Sequence, residues 1–150
     1  MSIMGRILLV EDDLKDVELT LTALEEYNLA NEVVVTRDGE EALDYLYRRG
    51  TFASRSNGNP AVLLLDLKLP LVDGLEVLKQ IKSDPRTCAI PVVVLTSSHQ
   101  DRDMVASYKC GVNSYICKPV DFEQFTEAAR VLGMYWLLLN QAPNLQKMIA

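Results

Sequence analysis

The sequence predicts a doubly wound α/β fold, and three observations carry that prediction. Four short apolar runs recur along the 150 residues: Ile7-Leu8-Leu9-Val10, Val62-Leu63-Leu64-Leu65, Val92-Val93-Val94-Leu95 and Tyr115-Ile116-Cys117. They are short enough for strands buried on both faces of a parallel sheet. Segments with apolar residues at helical spacing alternate with them. Finally, each run ends on chemistry-bearing residues: Glu11 and Asp12, Asp66, Thr96, and Lys118. Parallel strands finish at one edge, and in doubly wound sheets that edge holds the ligand crevice.

The elements follow in order. After the first strand, Asp13 is placed to cap a helix carrying Leu14, Val17, Leu21 and Leu24. Glu32 to Thr36 is a β-branched second strand, and Asp38-Gly39 turns into a helix with Ala42, Leu43, Leu46 and Tyr47. Residues 49–60 are polar and turn-rich, which predicts a long surface loop. The third strand ends at Asp66, and Leu69-Pro70-Leu71-Val72-Asp73-Gly74 leads into a helix that Asp84-Pro85 stops. Pro91 opens the fourth strand. A helix over 101–110 follows, with Gly111 as its C′ residue. The fifth strand leads to Lys118-Pro119, and Asp121 caps a last helix beginning near Phe122. The crossovers are expected to be right-handed, with helices on both faces of the sheet.

Bulk properties narrow the function. A length of 150 residues favours one domain, spanning 1–150 with an extended helix or tail from about 131. A net charge of −6 and dispersed basic residues argue against nucleic-acid binding. Cys88, Cys110 and Cys117 lack metal-ligand spacing and read as reduced thiols. His99 is the single histidine, so no triad or multi-histidine metal site is available. The N-terminus leaves no room for a signal peptide, and the apolar stretch 131–139 is too short to span a bilayer. A cytoplasmic location and no membrane association are expected.

The edge residues define the chemistry. Glu11, Asp12 and Asp66 would lie within a few ångströms of one another, and a hard dication would relieve their repulsion. Mg²⁺ suits a site of oxygen ligands without Cys or His. Asp66, at the end of the most apolar strand, is the candidate nucleophile, which on attacking phosphorus becomes an aspartyl phosphate. Lys118, the Thr96 hydroxyl and the backbone N–H groups after Asp66 and Thr96 would neutralise the transferred oxygens.

These residues carry a resemblance. Val10-Glu11-Asp12-Asp13, the segment Leu64 to Gly74, Val94-Leu95-Thr96-Ser97 and Tyr115-Ile116-Cys117-Lys118-Pro119 resemble the receiver domain of two-component response regulators over roughly residues 5–130. The resemblance implies a flavodoxin-like sheet of order 2-1-3-4-5 and phosphorylation of Asp66 by a kinase histidine. It implies Mg²⁺ held by Asp12, Glu11, Asp66 and the backbone carbonyl of Lys68. Thr96 and Lys118 would contact the phosphoryl group, Thr96 and Tyr115 would form the switch, and Lys118-Pro119 would be a cis peptide bond. The side chains of Lys68 and Ser98 occupy positions that tune the phosphate lifetime. The protein would be no enzyme beyond assisting its own phosphorylation and dephosphorylation.

With only a short tail after the last helix, signalling is expected through protein contact. That tail (Val131, Leu132, Met134, Tyr135, Trp136, Leu137, Leu138, Leu139) is apolar nearly all round, which suits a partner surface with Tyr and Trp as anchors. The tail through Asn144 and the long loop before the third strand are similar to the small response regulators of cyanobacterial phytochromes. That likeness implies a light-sensing histidine kinase as partner and a homodimer through the last helix. Alternatives are a receiver-like dimerisation adaptor and, less readily, an Asp-nucleophile phosphatase of the haloacid dehalogenase type. The latter needs a second Asp where Lys68 stands. A flavin carrier is disfavoured because Glu11-Asp12-Asp13 would repel the flavin phosphate.

Overall fold

The computed structural model describes residues 5–26 and 28–141. Five strands, β1 (Ile7–Val10), β2 (Val33–Thr36), β3 (Val62–Leu65), β4 (Val92–Thr96) and β5 (Ser114–Cys117), form one parallel sheet in the order β2-β1-β3-β4-β5. The helices are α1 (Leu14–Glu25), α2 (Gly39–Tyr47), α3 (Gly74–Ser83), α4 (Asp101–Lys109) and α5 (Phe122–Met134). This is the doubly wound fold that the sequence predicts, in the flavodoxin-like strand order that the resemblance implies.

Alternation along the central strands divides the core in two. Ile7, Leu9, Val62, Leu64, Val93 and Leu95 face α1 and α5, where Val17, Leu24, Phe125 and Leu132 meet them. Leu8, Val10, Leu63, Leu65, Val92 and Val94 face the other way, against Leu43, Leu46, Val77, Leu78 and Ile81 of α2 and α3. β1, β3 and β4 are buried throughout, whereas the edge strands β2 and β5 are largely half-buried.

Helix starts follow local chemistry. Asp13 accepts from the N–H groups of Lys15 and Asp16, Asp38 from Glu41, and Asp121 from Gln124. Gly111 follows α4 at φ +96, a left-handed position that glycine occupies without steric cost.

Three boundaries differ from the sequence reading. Residues Ala30–Glu32 form a 3₁₀ turn, so β2 starts at Val33. A second 3₁₀ turn, Gly50–Phe52, opens the long loop, where Tyr45 and Phe52 meet edge to face at 5.1 Å. The last helix does not run unbroken through the apolar tail: α5 ends at Met134 and Tyr135–Leu139 form a π-helical turn. Residues 142–150 of the predicted tail lie outside the described residues.

Candidate functional site

Strand register brings the site together. Val10 pairs with Leu65, so Glu11 and Asp66 leave the sheet side by side. Their main chains remain tied to the ladder, Asp66 N donating to Val10 O at 3.1 Å and Glu11 N to Thr36 O at 3.0 Å. Thr96 pairs with Cys117, and Lys118 N donates to Thr96 O at 2.7 Å.

The Lys118 ammonium is the centre of the arrangement. It donates to Glu11 Oε1 at 2.5 Å, Asp16 Oδ2 at 2.7 Å and Asp66 Oδ2 at 3.0 Å. An ammonium has three N–H groups, so all are committed. The other oxygen of Asp66 accepts the Thr96 hydroxyl at 2.9 Å and the Lys68 N–H at 3.2 Å. Glu11 Oε2 accepts the Asp13 N–H at 3.2 Å. Glu11, Asp66 and Thr96 are all buried, which makes these bonds costly to leave unmade.

Three carboxylates sharing one ammonium leave an excess of negative charge. Burial, with repulsion from Asp66, pushes the Glu11 carboxyl from 4.5 up to about 7 despite the opposing pull of Lys118. Burial alone would pull the Lys118 ammonium down, but its bonds to Asp16 and Glu11 and the attraction of Glu11 and Asp66 outweigh it. Its pKa lies above the ordinary lysine value. The two shifts have different causes: burial raises Glu11, whereas the carboxylates around Lys118 raise its ammonium against burial.

The structure places Glu11, Asp66, Thr96 and Lys118 within one hydrogen-bonded group. Asp12 stands apart from it: its side chain is exposed, and its carbonyl oxygen accepts Arg37 Nη2 at 2.8 Å. Tyr115 is half-buried, and its hydroxyl donates to Ser98 O at 3.2 Å, tying β5 to the loop after Thr96. Ser98 N lies 3.4 Å from the Thr96 oxygen, and the Ser98 hydroxyl bonds Asp103. The Lys118–Pro119 peptide bond is trans, correcting the cis bond implied by the resemblance. The trans isomer is the lower in energy, and Lys118 reaches all three carboxylates from it.

Sequence reasoning missed three residues. Asp16 looks like an ordinary acidic residue in a first helical turn, where the helix dipole favours it. Its one signal is position, a single turn beyond Asp12. Arg37, just past β2, fixes the Asp12 main chain, and its Nε is buried with no hydrogen-bond partner among the described residues. Gly74 reads as a turn residue, but a Cβ there would lie 2.2 Å from Asp66 O and 2.6 Å from Leu67 Cα. Glycine thus lets α3 press against the peptide that carries Asp66.

The donor chemistry fits a hard dication: buried Glu11 and Asp66, exposed Asp12 and a nearby backbone carbonyl offer oxygen donors only. Among the described residues no three acidic, His or Cys side chains are already arranged as a metal cage. The Lys118 ammonium supplies the positive charge between Glu11 and Asp66.

Known proteins are similar to this chain in sequence and in fold. The chain is 45% identical over 138 residues to the "Probable methanogenesis regulatory protein FilR2" of Methanothrix harundinacea, covering 92% of this chain and 87% of that protein. It is 38% identical over 131 residues to the response regulator Rcp1 of Synechocystis, covering 87% and 88%. A crystal structure of Rcp1 in its Mn²⁺-bound form superposes with a TM-score of 0.86 at 36% identity, covering 93% of this chain and 99% of that one. The phosphorylated cyanobacterial phytochrome response regulator RcpA matches with a TM-score of 0.86, 41% identity and the same coverage. The bacteriophytochrome response regulator AtBRR matches with a TM-score of 0.73 and 57% identity, covering 93% and 100%. Residues 7–130 match the response regulator receiver domain. With the receiver topology and the acidic edge in place, this chain belongs to the response regulator receiver domain family.

Proposed function

We propose that the chain is a single-domain response regulator that accepts a phosphoryl group on Asp66 from the histidine of a phytochrome-type kinase. The observation that carries this is the engagement of Asp66: one carboxylate oxygen lies 3.0 Å from the Lys118 ammonium and the other 2.9 Å from the Thr96 hydroxyl. A buried carboxylate flanked by an ammonium and a hydroxyl is held for attack, with groups beside it to receive phosphoryl oxygens.

In the transfer, a lone pair of an Asp66 oxygen attacks phosphorus. The P–N bond to the kinase histidine breaks, and its electron pair leaves with the imidazole. The acyl phosphate keeps the second Asp66 oxygen as its carbonyl. Lys118, the Thr96 hydroxyl and the Lys68 N–H exchange bonds to the carboxylate for bonds to the phosphoryl group or the acyl carbonyl. When bound, Mg²⁺ would neutralise charge on the transferred oxygens, with Glu11, Asp12, Asp66 and the Lys68 carbonyl as its protein ligands. Drawing the Thr96 hydroxyl to phosphate pulls on Ser98, whose carbonyl holds the Tyr115 hydroxyl. In this reading, Thr96 and Tyr115 are the switch.

The phytochrome assignment rests on the likeness to RcpA, Rcp1 and AtBRR. Output runs through protein contact in the cytoplasm, without nucleic acid or membrane, and the chain pairs as a homodimer through α5 and the turn after it. Val131, Tyr135, Leu138 and Leu139 are exposed there, a surface that favours burial against a second copy.

The test is phosphotransfer from purified histidine kinases, phytochromes included, in red and far-red light with Mg²⁺. A light-dependent transfer to the wild-type chain and none to Asp66→Asn is expected. Equal labelling of Asp66→Asn would remove the assignment, and preferential transfer from an unrelated kinase would remove the phytochrome link alone.

A further inference from the structure

Asp16 holds a bond that neither the topology nor the acidic pair at the end of β1 requires. It sits in the first turn of α1, held in place by its N–H donating to Asp13 Oδ1 at 3.2 Å. Its carboxylate takes one of the three Lys118 N–H groups at 2.7 Å, and its side chain is 21% exposed. The other two acceptors of Lys118 are Glu11 and Asp66. Both change in the reaction proposed above. Asp66 turns from a carboxylate into an acyl phosphate, and Glu11 belongs to the metal's ligand set. Asp16 does neither.

We infer that Asp16 is a positioning residue for phosphoryl transfer, acting through Lys118 as the one carboxylate that retains the ammonium when Asp66 is acylated. Lys118 is a flexible side chain with costly rotamer entropy. Held by Asp16 alone, its two released N–H groups lie beside Asp66 and are free for phosphoryl oxygens. Without Asp16, the ammonium has no fixed partner once Asp66 and Glu11 are taken. This inference rests on Asp66 being the phosphoacceptor.

A second effect opposes the first. Asp16 also places negative charge near an incoming phosphate, so removing it eases approach of the donor. A double-mutant cycle separates the two. Initial rates of phosphorylation by acetyl phosphate with Mg²⁺ are measured for the wild type, Asp16→Asn, Lys118→Met and the double variant. Direct repulsion of the donor acts in both backgrounds and cancels, whereas positioning exists only where Lys118 is present.

The expected result is a coupling of roughly tenfold, with Asp16→Asn slower in the Lys118 background than its effect in Lys118→Met predicts, the scale of one charge-assisted bond. Mg²⁺ affinity should be nearly unchanged, because Asp16 is outside the ligand set. A coupling factor of one overturns the inference, and so does a large loss of Mg²⁺ affinity in Asp16→Asn, which would make Asp16 a metal ligand. Should the Lys118→Met rates fall below detection, the ¹⁵N resonance of the Lys118 ammonium decides. It should stay hydrogen-bonded and slow to exchange after phosphorylation of the wild type and lose that protection in Asp16→Asn. Equal protection in both proteins overturns the inference. A wild-type chain that acetyl phosphate does not label would overturn the Asp66 reading as well. Normal labelling with no coupling would overturn the role of Asp16 alone.

Discussion

Glu11 shows how one buried carboxyl imposes a pH dependence on the whole chain. Its ordinary value of 4.5 rises to about 7 in the fold, with burial as the leading cause. Between those values the folded chain holds a proton that the unfolded chain has released, so the sign is fixed. This contribution to stability is complete below about 4.5 and is lost as pH rises through about 7. Urea unfolding in chelator should show Glu11→Gln flatter than the wild type across that window and more stable at alkaline pH, by on the order of 3 kcal/mol at most. Parallel pH profiles for the two proteins would contradict the burial argument. Leu71 offers a second test at this scale. It is 76% exposed and sits at φ +66, where an L side chain costs roughly 1–2 kcal/mol. Glycine removes that strain but adds unfolded-state entropy of about 0.5–1 kcal/mol, so Leu71→Gly should stabilise by about 1 kcal/mol or less. Destabilisation on urea denaturation would show that Leu71 packs in a way that its exposure hides.

At the scale of elements, the helix starts were legible because capping chemistry is local: Asp13, Asp38 and Asp121 each cap a helix with their own carboxylates. What the sequence concealed depends on neighbours distant in the chain. Gly133 reads as a weak point in an apolar helix. In the fold, a Cβ there would meet Leu24 Cδ2 at 2.2 Å, so glycine sets how closely α5 approaches α1. Overpacking costs about 1–3 kcal/mol against a helix-propensity gain near 1 kcal/mol. Since Leu24 is fully buried and has little room to yield, Gly133→Ala should be net destabilising by about 1–2 kcal/mol in a thermal melt. An unchanged or raised Tm would mean that the helices slide apart freely. The apolar tail also divides in a way that periodicity did not reveal. Leu132 and Leu137 are buried and Trp136 packs against the α1/α5 core, while Tyr135, Leu138 and Leu139 remain outside. Trp136→Ala should weaken self-association but also loosen the core. Leu139→Glu, on a residue 71% exposed, is the cleaner variant and should shift a dimer toward monomer in sedimentation velocity without lowering Tm. An unchanged sedimentation profile for Leu139→Glu in a chain shown to be dimeric would remove this turn from the interface.

For the whole molecule, the buried parallel strands and the gathering of Glu11, Asp66, Thr96 and Lys118 at one edge were readable because burial enforces the strands and parallel topology aligns their ends, whereas the order β2-β1-β3-β4-β5 was implied only by the family resemblance. The path of the Lys118 side chain was not, since a flexible cation selects among acceptors only once the helices are placed. That is how Asp16 joined the cluster while Asp12 stayed in solvent.

The central claim is that these groups exist to make Asp66 a phosphoacceptor. It is tested most directly by phosphorylating the protein with Mg²⁺ and a phosphohistidine donor, trapping the product with hydroxylamine and mapping the adduct by peptide mass spectrometry. The account predicts a single hydroxamate, on Asp66. A hydroxamate on Asp12, Glu11 or Asp16 in its place, or a phosphoryl group that resists hydroxylamine, would contradict it.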